Sequence, residues 1–335
     1  MSAPARARLS GGAALREIQR PIRGRLEGVP EELARIVAVD LPRMEEVKSY
    51  LLLMQGKMFR PTLVLLSSET GGAAEPPRAL TLAAIVEIIH LATLVHDDAV
   101  DHSVLRRGMP TINAAFSHQV AVIMGDFLYL RALAELVGRG EHEALSVMTR
   151  ASQQMTVGEM RQLMAHDTLG FSEQDYYALI ASKTASLMSA ACEMGALCGN
   201  VQYRRELARY GEQLGMAFQI ADDLLDYTAD AEEMGKPTGL DLREHKVTLP
   251  LIAALPTMTA AERSVVDTLF SAAEPDDRDI ATVVEIVTER GGLEYARRRG
   301  EEFARDAESA LASLPETEAR TALLDAIAYV LERRN

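Results

Sequence analysis

The 335-residue sequence has no tryptophan, only two cysteines, and few aromatic residues of any kind, at 5%. Alanine, leucine and methionine abound instead, a balance that leans towards helix. Cys192 and Cys198 stand in an apolar, alanine-rich stretch and read as buried free thiols of a reducing cytoplasm. No run of eighteen uncharged apolar residues occurs, which argues against a membrane span. Basic residues are also short: 35 Lys and Arg face 49 Asp and Glu, for a net charge of -14. That deficit disfavours non-specific nucleic-acid binding, which depends on phosphate neutralisation. It leaves room for a small anionic ligand at a locally basic spot. Residues 1–25 are Arg- and Ala-rich and lack the apolar core of a secretory signal. They are expected to form a flexible or loosely helical extension before a domain covering 26–335.

Strand-like alternation is missing too. Apolar residues recur at threes and fours from Glu31 to Met54, and Pro61 fits the first turn of a helix continuing to Thr70. Residues 71–77 break the pattern. The segment 78–98 reads as one helix, apolar nearly all round and therefore buried. A loop is expected at 106–110, then helical stretches at 111–137, 141–166, 173–200, 203–228, 246–256, 259–273, 278–290, 293–313 and 316–333. The breaks are short and carry Gly, Pro or Asp, with no linker between domains. The expected fold is an all-α, single-domain bundle of ten or more helices.

What is plentiful is aspartate at one spacing. Asp97, Asp98 and Asp101 form D-D-x-x-D, and Asp222, Asp223 and Asp226 repeat it. With 18 aspartates in 335 residues, chance supplies this pattern about once in twenty such chains. Like charges four apart share a helix face and repel. A solvated helix end is the bland reading; two copies, each on an apolar helix, weigh against it. Oxygen ligands without a His or Cys cluster favour Mg²⁺, which takes one or two carboxylates and completes its shell with water and phosphate oxygens. Facing clusters of this kind can clamp a diphosphate.

Cations stand close by. Arg106 and Arg107 follow the first cluster and can grip phosphate in bidentate geometry. Lys57 and Arg60 sit where a loop enters a helix. Lys183 lies beside Thr184 in an apolar helix, and Lys236 and Lys246 follow the second cluster. Each alone is more often a solvated surface charge; together they outline a chamber with a charged mouth and apolar walls. His90 lies seven residues before Asp97 on the same helix face. A lone histidine on an apolar helix is usually a satisfied core residue, so its ligand role rests on that alignment.

These blocks, "GKMFRP", "HLATLVHDDAVDHSVLRRGMPT", "GDFLYLRAL", "GEMRQL", "KTASL" and "GMAFQIADDLLDYTADAEEMGKPTGLDLREHKVTLPLI", resemble in order those of the trans-isoprenyl diphosphate synthases, or polyprenyl synthetases. The resemblance spans roughly 50–335. The one departure noted is Gln55, where the family commonly has glycine. The resemblance implies helices around a deep central cavity, a homodimer, Mg²⁺, and head-to-tail 1'-4 condensation of isopentenyl diphosphate onto an allylic diphosphate. It implies Asp97 and Asp101 as Mg²⁺ ligands with Asp98 assisting, and Asp222 as a ligand from the other side with Asp223 and Asp226 in support. Lys57, Arg60, His90 and Arg107 are implied to hold isopentenyl diphosphate. Arg106, Lys183, Lys236 and Lys246 are implied to hold the allylic diphosphate, with Thr184 and Gln219 facing the reacting carbons.

Ala92 and Thr93, one turn before Asp97, are small where short-chain members carry a blocking aromatic ring. This resembles the hexaprenyl to decaprenyl synthases, with Ile88, Ile89, Met124, Phe127, Leu128 and Met155 as candidates for the tunnel floor. The rival readings are a short-chain farnesyl or geranylgeranyl diphosphate synthase, a class I terpene cyclase, and a non-catalytic partner subunit. Cyclases usually carry a different second metal block and lack the Lys57/Arg60 site. Partner subunits tend to lose an aspartate cluster or the arginine pair.

Overall fold

A computed structural model describes residues 11–54, 56–71, 75–164, 169–228 and 239–332. The chain begins with short helices α1 (Gly11–Ile18), α2 (Arg23–Leu26) and α3 (Val29–Ile36), then α4 (Pro42–Leu53) and α5 (Phe59–Glu69). The long α6 (Pro76–Val100) follows, then α7 (Ile112–Ala115), α8 (His118–Gly138) and α9 (His142–Met164). Next come α10 (Glu173–Ile180), α11 (Ser186–Gly199) and α12 (Arg204–Thr228). The C-terminal part adds helices Leu240–Arg243, Leu249–Ala254, Ala260–Ser271, Asp277–Glu289, Gly292–Ala310 and Glu318–Leu331. The fold is all-α, as expected.

Helix α6 is the central post. Pro76 and Pro77 start it, where a missing N–H costs nothing. Every residue from Leu82 to Val86 is fully buried, as are Ile88 and Ile89. Helices α3, α5, α8 and α11 pack around it. Although α6 is long and apolar enough to cross a membrane, most of its apolar stretch is buried inside the protein.

Several boundaries differ from the expected ones. The periodic stretch Glu31–Met54 is two helices, because Pro42 opens α4 and forces Leu41 into an extended conformation (φ -143°, ψ 110°). The expected loop at 106–110 contains a minimal hairpin, Leu105–Arg106 paired with Met109–Pro110, closed by left-handed Arg107 and Gly108. Strands of two residues are too short to show alternation. The stretch 173–200 is interrupted by a π-helical segment, Ala181–Ala185, between α10 and α11. Residues 11–25 are helical, but not loose: Leu15, Ile18 and Ile22 are buried in the main core. Their apolar spacing was masked by the arginines between them. Residues 1–10 lie outside the described residues.

Candidate active site

The end of α6 divides its three aspartates between two tasks. Asp97 is half-buried and Asp101 exposed, on one face of the helix. Asp98 is buried and accepts from Arg106 Nε at 2.9 Å on each carboxylate oxygen, with Arg106 Nη2 2.7 Å from Oδ1. Asp98 therefore fixes Arg106, and through it the strand that leads into the hairpin turn.

That turn carries Arg107 back over the loop before α5. Its guanidinium donates to the Met54 carbonyl and lies so close to Gly56 that a Cβ there would be 2.6 Å from Nη2. Any side chain at 56 would have to displace that guanidinium. Arg60, at the second residue of α5, donates from Nη1 to His90 Nε2 at 3.1 Å. Burial and the surrounding Arg60, Arg107 and Arg106 hold His90 well below the ordinary imidazole range, so it is the neutral acceptor. Gln19 of the N-terminal segment donates to the Lys57 carbonyl (3.1 Å) and to Thr62 Oγ1 (3.0 Å). Of the four residues expected to hold isopentenyl diphosphate, Arg60 and His90 thus touch directly, and Arg107 lies against Gly56, next to Lys57.

The second cluster lies near the end of α12. Asp222 is exposed there, and Asp223 is buried. Asp223 accepts from Gln219 Nε2 (2.8 Å) and from Tyr176 (2.5 Å), and Gln219 Oε1 accepts from Thr184 (2.8 Å). Asp226 accepts from the backbone N–H groups of Leu240 and Asp241, both at 3.0 Å. It thereby holds the turn that returns Asp241 and Lys246 to the site.

One carboxylate of each cluster, Asp101 at the C-cap of α6 and Asp223 of α12, lines a single hollow of about 600 Å³ together with Asp241, Lys183 and Lys246. Lys183 and Thr184 reach it from the π-helical segment. Gly215 of α12 packs flat against that segment: a Cβ there would stand 2.5 Å from Ala185 Cα. Lys183 pairs with Glu159 and donates to Gln162 (3.2 Å), while Lys246 pairs with Glu244 (2.6 Å). Lys236 and Gln55 lie outside the described residues.

The acids here are short of positive charge. Burial, with Glu159 and Asp101 adding repulsion against the pull of Lys183, raises Asp97 to about 6. Burial also raises Asp223, Asp226 and Asp241, and mutual repulsion adds to it. Among the described residues no three acidic, His or Cys side chains converge on one point as a closed metal centre. All-oxygen donors spread around a hollow suit hard divalent cations whose shells are completed by diphosphate oxygens and water.

Residues 41–287 match the family model for polyprenyl synthetase. The chain belongs to the polyprenyl synthetase family. This synthetase is 38% identical over 308 residues to the all-trans-nonaprenyl-diphosphate synthase (geranyl-diphosphate specific) of Rhodobacter capsulatus, covering 92% of each chain. It is 37% identical over 313 residues to the octaprenyl diphosphate synthase of Escherichia coli, covering 92% of this chain and 96% of that one. The crystal structure of a Caulobacter crescentus polyprenyl synthase complexed with calcium and isoprenyl diphosphate superposes with a TM-score of 0.90 at 33% identity, over 98% of this chain and 100% of that one. A divalent cation accompanies that relative, in keeping with the acidic hollow of the synthetase.

Sequence reasoning missed four residues of this site. Asp241, Glu159 and Gln162 sit inside the quoted blocks but outside the paired-aspartate pattern, and only the folded chain brings them to the hollow. Tyr176 carries no motif at all.

Proposed function

We propose that this chain condenses isopentenyl diphosphate head-to-tail (1'-4) onto an allylic diphosphate, making an all-trans polyprenyl diphosphate of the hexaprenyl to decaprenyl class. The carrying observation is that carboxylates of both aspartate repeats line a single hollow together with Lys183 and Lys246. Asp97, Asp101 and Asp222 would hold Mg²⁺, which supplies Lewis-acid stabilisation of departing pyrophosphate. Arg106, Lys183, Lys236 and Lys246 bind the allylic diphosphate and spread its growing charge. Lys57, Arg60, His90 and Arg107 seat isopentenyl diphosphate, whose double bond attacks the allylic carbon. The leaving pyrophosphate takes the proton that is then lost. Apolar walls exclude water from the allylic cation.

Chain length follows from the small Ala92 and Thr93 on α6. Ala92 is 2% exposed, and the Thr93 hydroxyl donates to the His90 carbonyl (2.8 Å), so neither presents a bulky barrier. A homodimer is supported by the outer face of α8. Ile123, Phe127, Leu130, Ala134 and Val137 recur there at four-three spacing, and Ile123, Leu130 and Val137 are 60–62% exposed. We place the enzyme in the cytoplasm on its two buried free thiols.

The test is direct. Purified protein is incubated with Mg²⁺, isopentenyl diphosphate and geranyl, farnesyl or geranylgeranyl diphosphate in turn, and products are sized by mass spectrometry. Prenyl diphosphates of 30 to 50 carbons are expected, with none in EDTA. No elongation of any primer refutes the reaction; products that stop at 15 or 20 carbons refute the chain length.

A further inference from the structure

Four side chains make one hydrogen-bonded file along the wall of the hollow. Thr184 Oγ1 donates to Gln219 Oε1 (2.8 Å), Gln219 Nε2 donates to Asp223 Oδ1 (2.8 Å), and Tyr176 donates to Asp223 Oδ2 (2.5 Å). All four line the hollow, and Tyr176, Asp223 and Thr184 are at most 9% exposed. The phenol and the amide N–H both donate to the Asp223 carboxyl group, one to each oxygen. With its nitrogen committed to Asp223, Gln219 presents its carbonyl oxygen to Thr184. The threonine hydroxyl then directs its proton at that oxygen, and only lone pairs remain for the hollow.

Resting on the condensation proposed above, we propose that Tyr176 is a positioning residue: its bond to Asp223 sets the polarity of this file, so that Thr184 offers partial negative charge to the allylic cation. A carboxylate held on one side only can rotate, and the Gln219 amide can then flip. A flipped amide accepts no proton from Thr184, whose hydroxyl is released to point its positive end into the hollow. Tyr176 is suited to prevent this. It is 2% exposed, packed with Ile180, Met216 and Ile220, and set edge-on to Tyr177 with ring centroids 5.7 Å apart.

The experiment is a double-mutant cycle on the full chain with Tyr176→Phe and Thr184→Val, reading the single-turnover rate of condensation, the KM for isopentenyl diphosphate, and the melting temperature. Each single variant is expected to slow the chemical step about tenfold or more. The KM is expected to hold within about twofold, and the double variant to be no slower than the slower single within about threefold. Thr184→Ser is expected to recover most of the rate lost in Thr184→Val. Should Tyr176→Phe melt below the assay temperature, the whole cycle is run at a lower temperature at which every variant stays folded. Independent, multiplying losses overturn the inference, as does a Tyr176→Phe enzyme altered only in melting temperature. If the wild type makes no product, the reaction itself is refuted; multiplying losses in an active wild type refute only the role of Tyr176.

Discussion

Ala92 is the residue on which the proposed chain length turns. It is 2% exposed on α6, a little over one turn before Asp97. On the tail path proposed above, along α6, a ring at this position blocks the growing chain. Ala92→Phe is expected to shift the main product to 15–25 carbons with the first condensation retained, read by mass spectrometry of the products. An unchanged length distribution means that the tail runs elsewhere. The same scale separates aspartates that one motif makes look equivalent. Asp98 is occupied by Arg106, and Asp226 by two backbone N–H groups, whereas Asp97 and Asp101 are more open. The repeat marks where acids gather; each side chain's partner decides what it does.

Among the elements, the π-helical segment Ala181–Ala185 matters most. Its widened turn aims both Lys183 and Thr184 at the hollow. It fits only because α12 offers Gly215 where a side chain would meet the Ala185 backbone. Gly215→Ala must push the two elements apart. We expect a loss of about 1–3 kcal/mol of stability in denaturant titration, with turnover falling further than stability alone explains. A variant with normal turnover would show that the close approach is dispensable. Helix α8 poses a different problem, since it leaves a regular apolar seam uncovered in the single chain. Leu130→Glu puts a charge in the middle of that seam. It is expected to turn the proposed dimer into a monomer in analytical ultracentrifugation while circular dichroism stays unchanged.

Across the whole molecule the net charge is -14, and at the hollow Asp101, Asp223, Asp241 and Glu244 face Lys183 and Lys246. Asp97, raised to about 6, holds its proton in the folded chain over a range where the unfolded chain has lost it. Its contribution to the stability of the metal-free protein therefore declines as pH rises from about 4 to about 6. His90 runs the other way. Its depressed pKa lets the unfolded chain take the proton first, so its contribution grows as pH rises through the ordinary imidazole range. Comparing metal-loaded with EDTA samples at each pH removes much of the shared background. Adding Mg²⁺ and pyrophosphate is expected to raise the melting temperature little near pH 5 and strongly near pH 7.5, because protons and metal compete for the same carboxylates. An equal rise at both pH values would mean that Asp97 and its neighbours do not receive the metal.

The all-α class, the long buried α6, and the two aspartate repeats with their flanking cations are legible in the bare chain. Those properties are local: helical period, apolar content and i,i+4 spacing are written in short stretches of chain. It also held the family resemblance, because the family's blocks are contiguous. Folding was needed to pair Arg106 with Asp98, to set Asp226 on the turn bearing Asp241, and to close with Tyr176 a hydrogen-bonded file begun at Thr184. It likewise turned the N-terminal segment from an expected extension into a brace, with Gln19 on the Lys57 loop. Pairings between residues tens of positions apart depend on how whole helices pack, and no local spacing records which partner a charge will find.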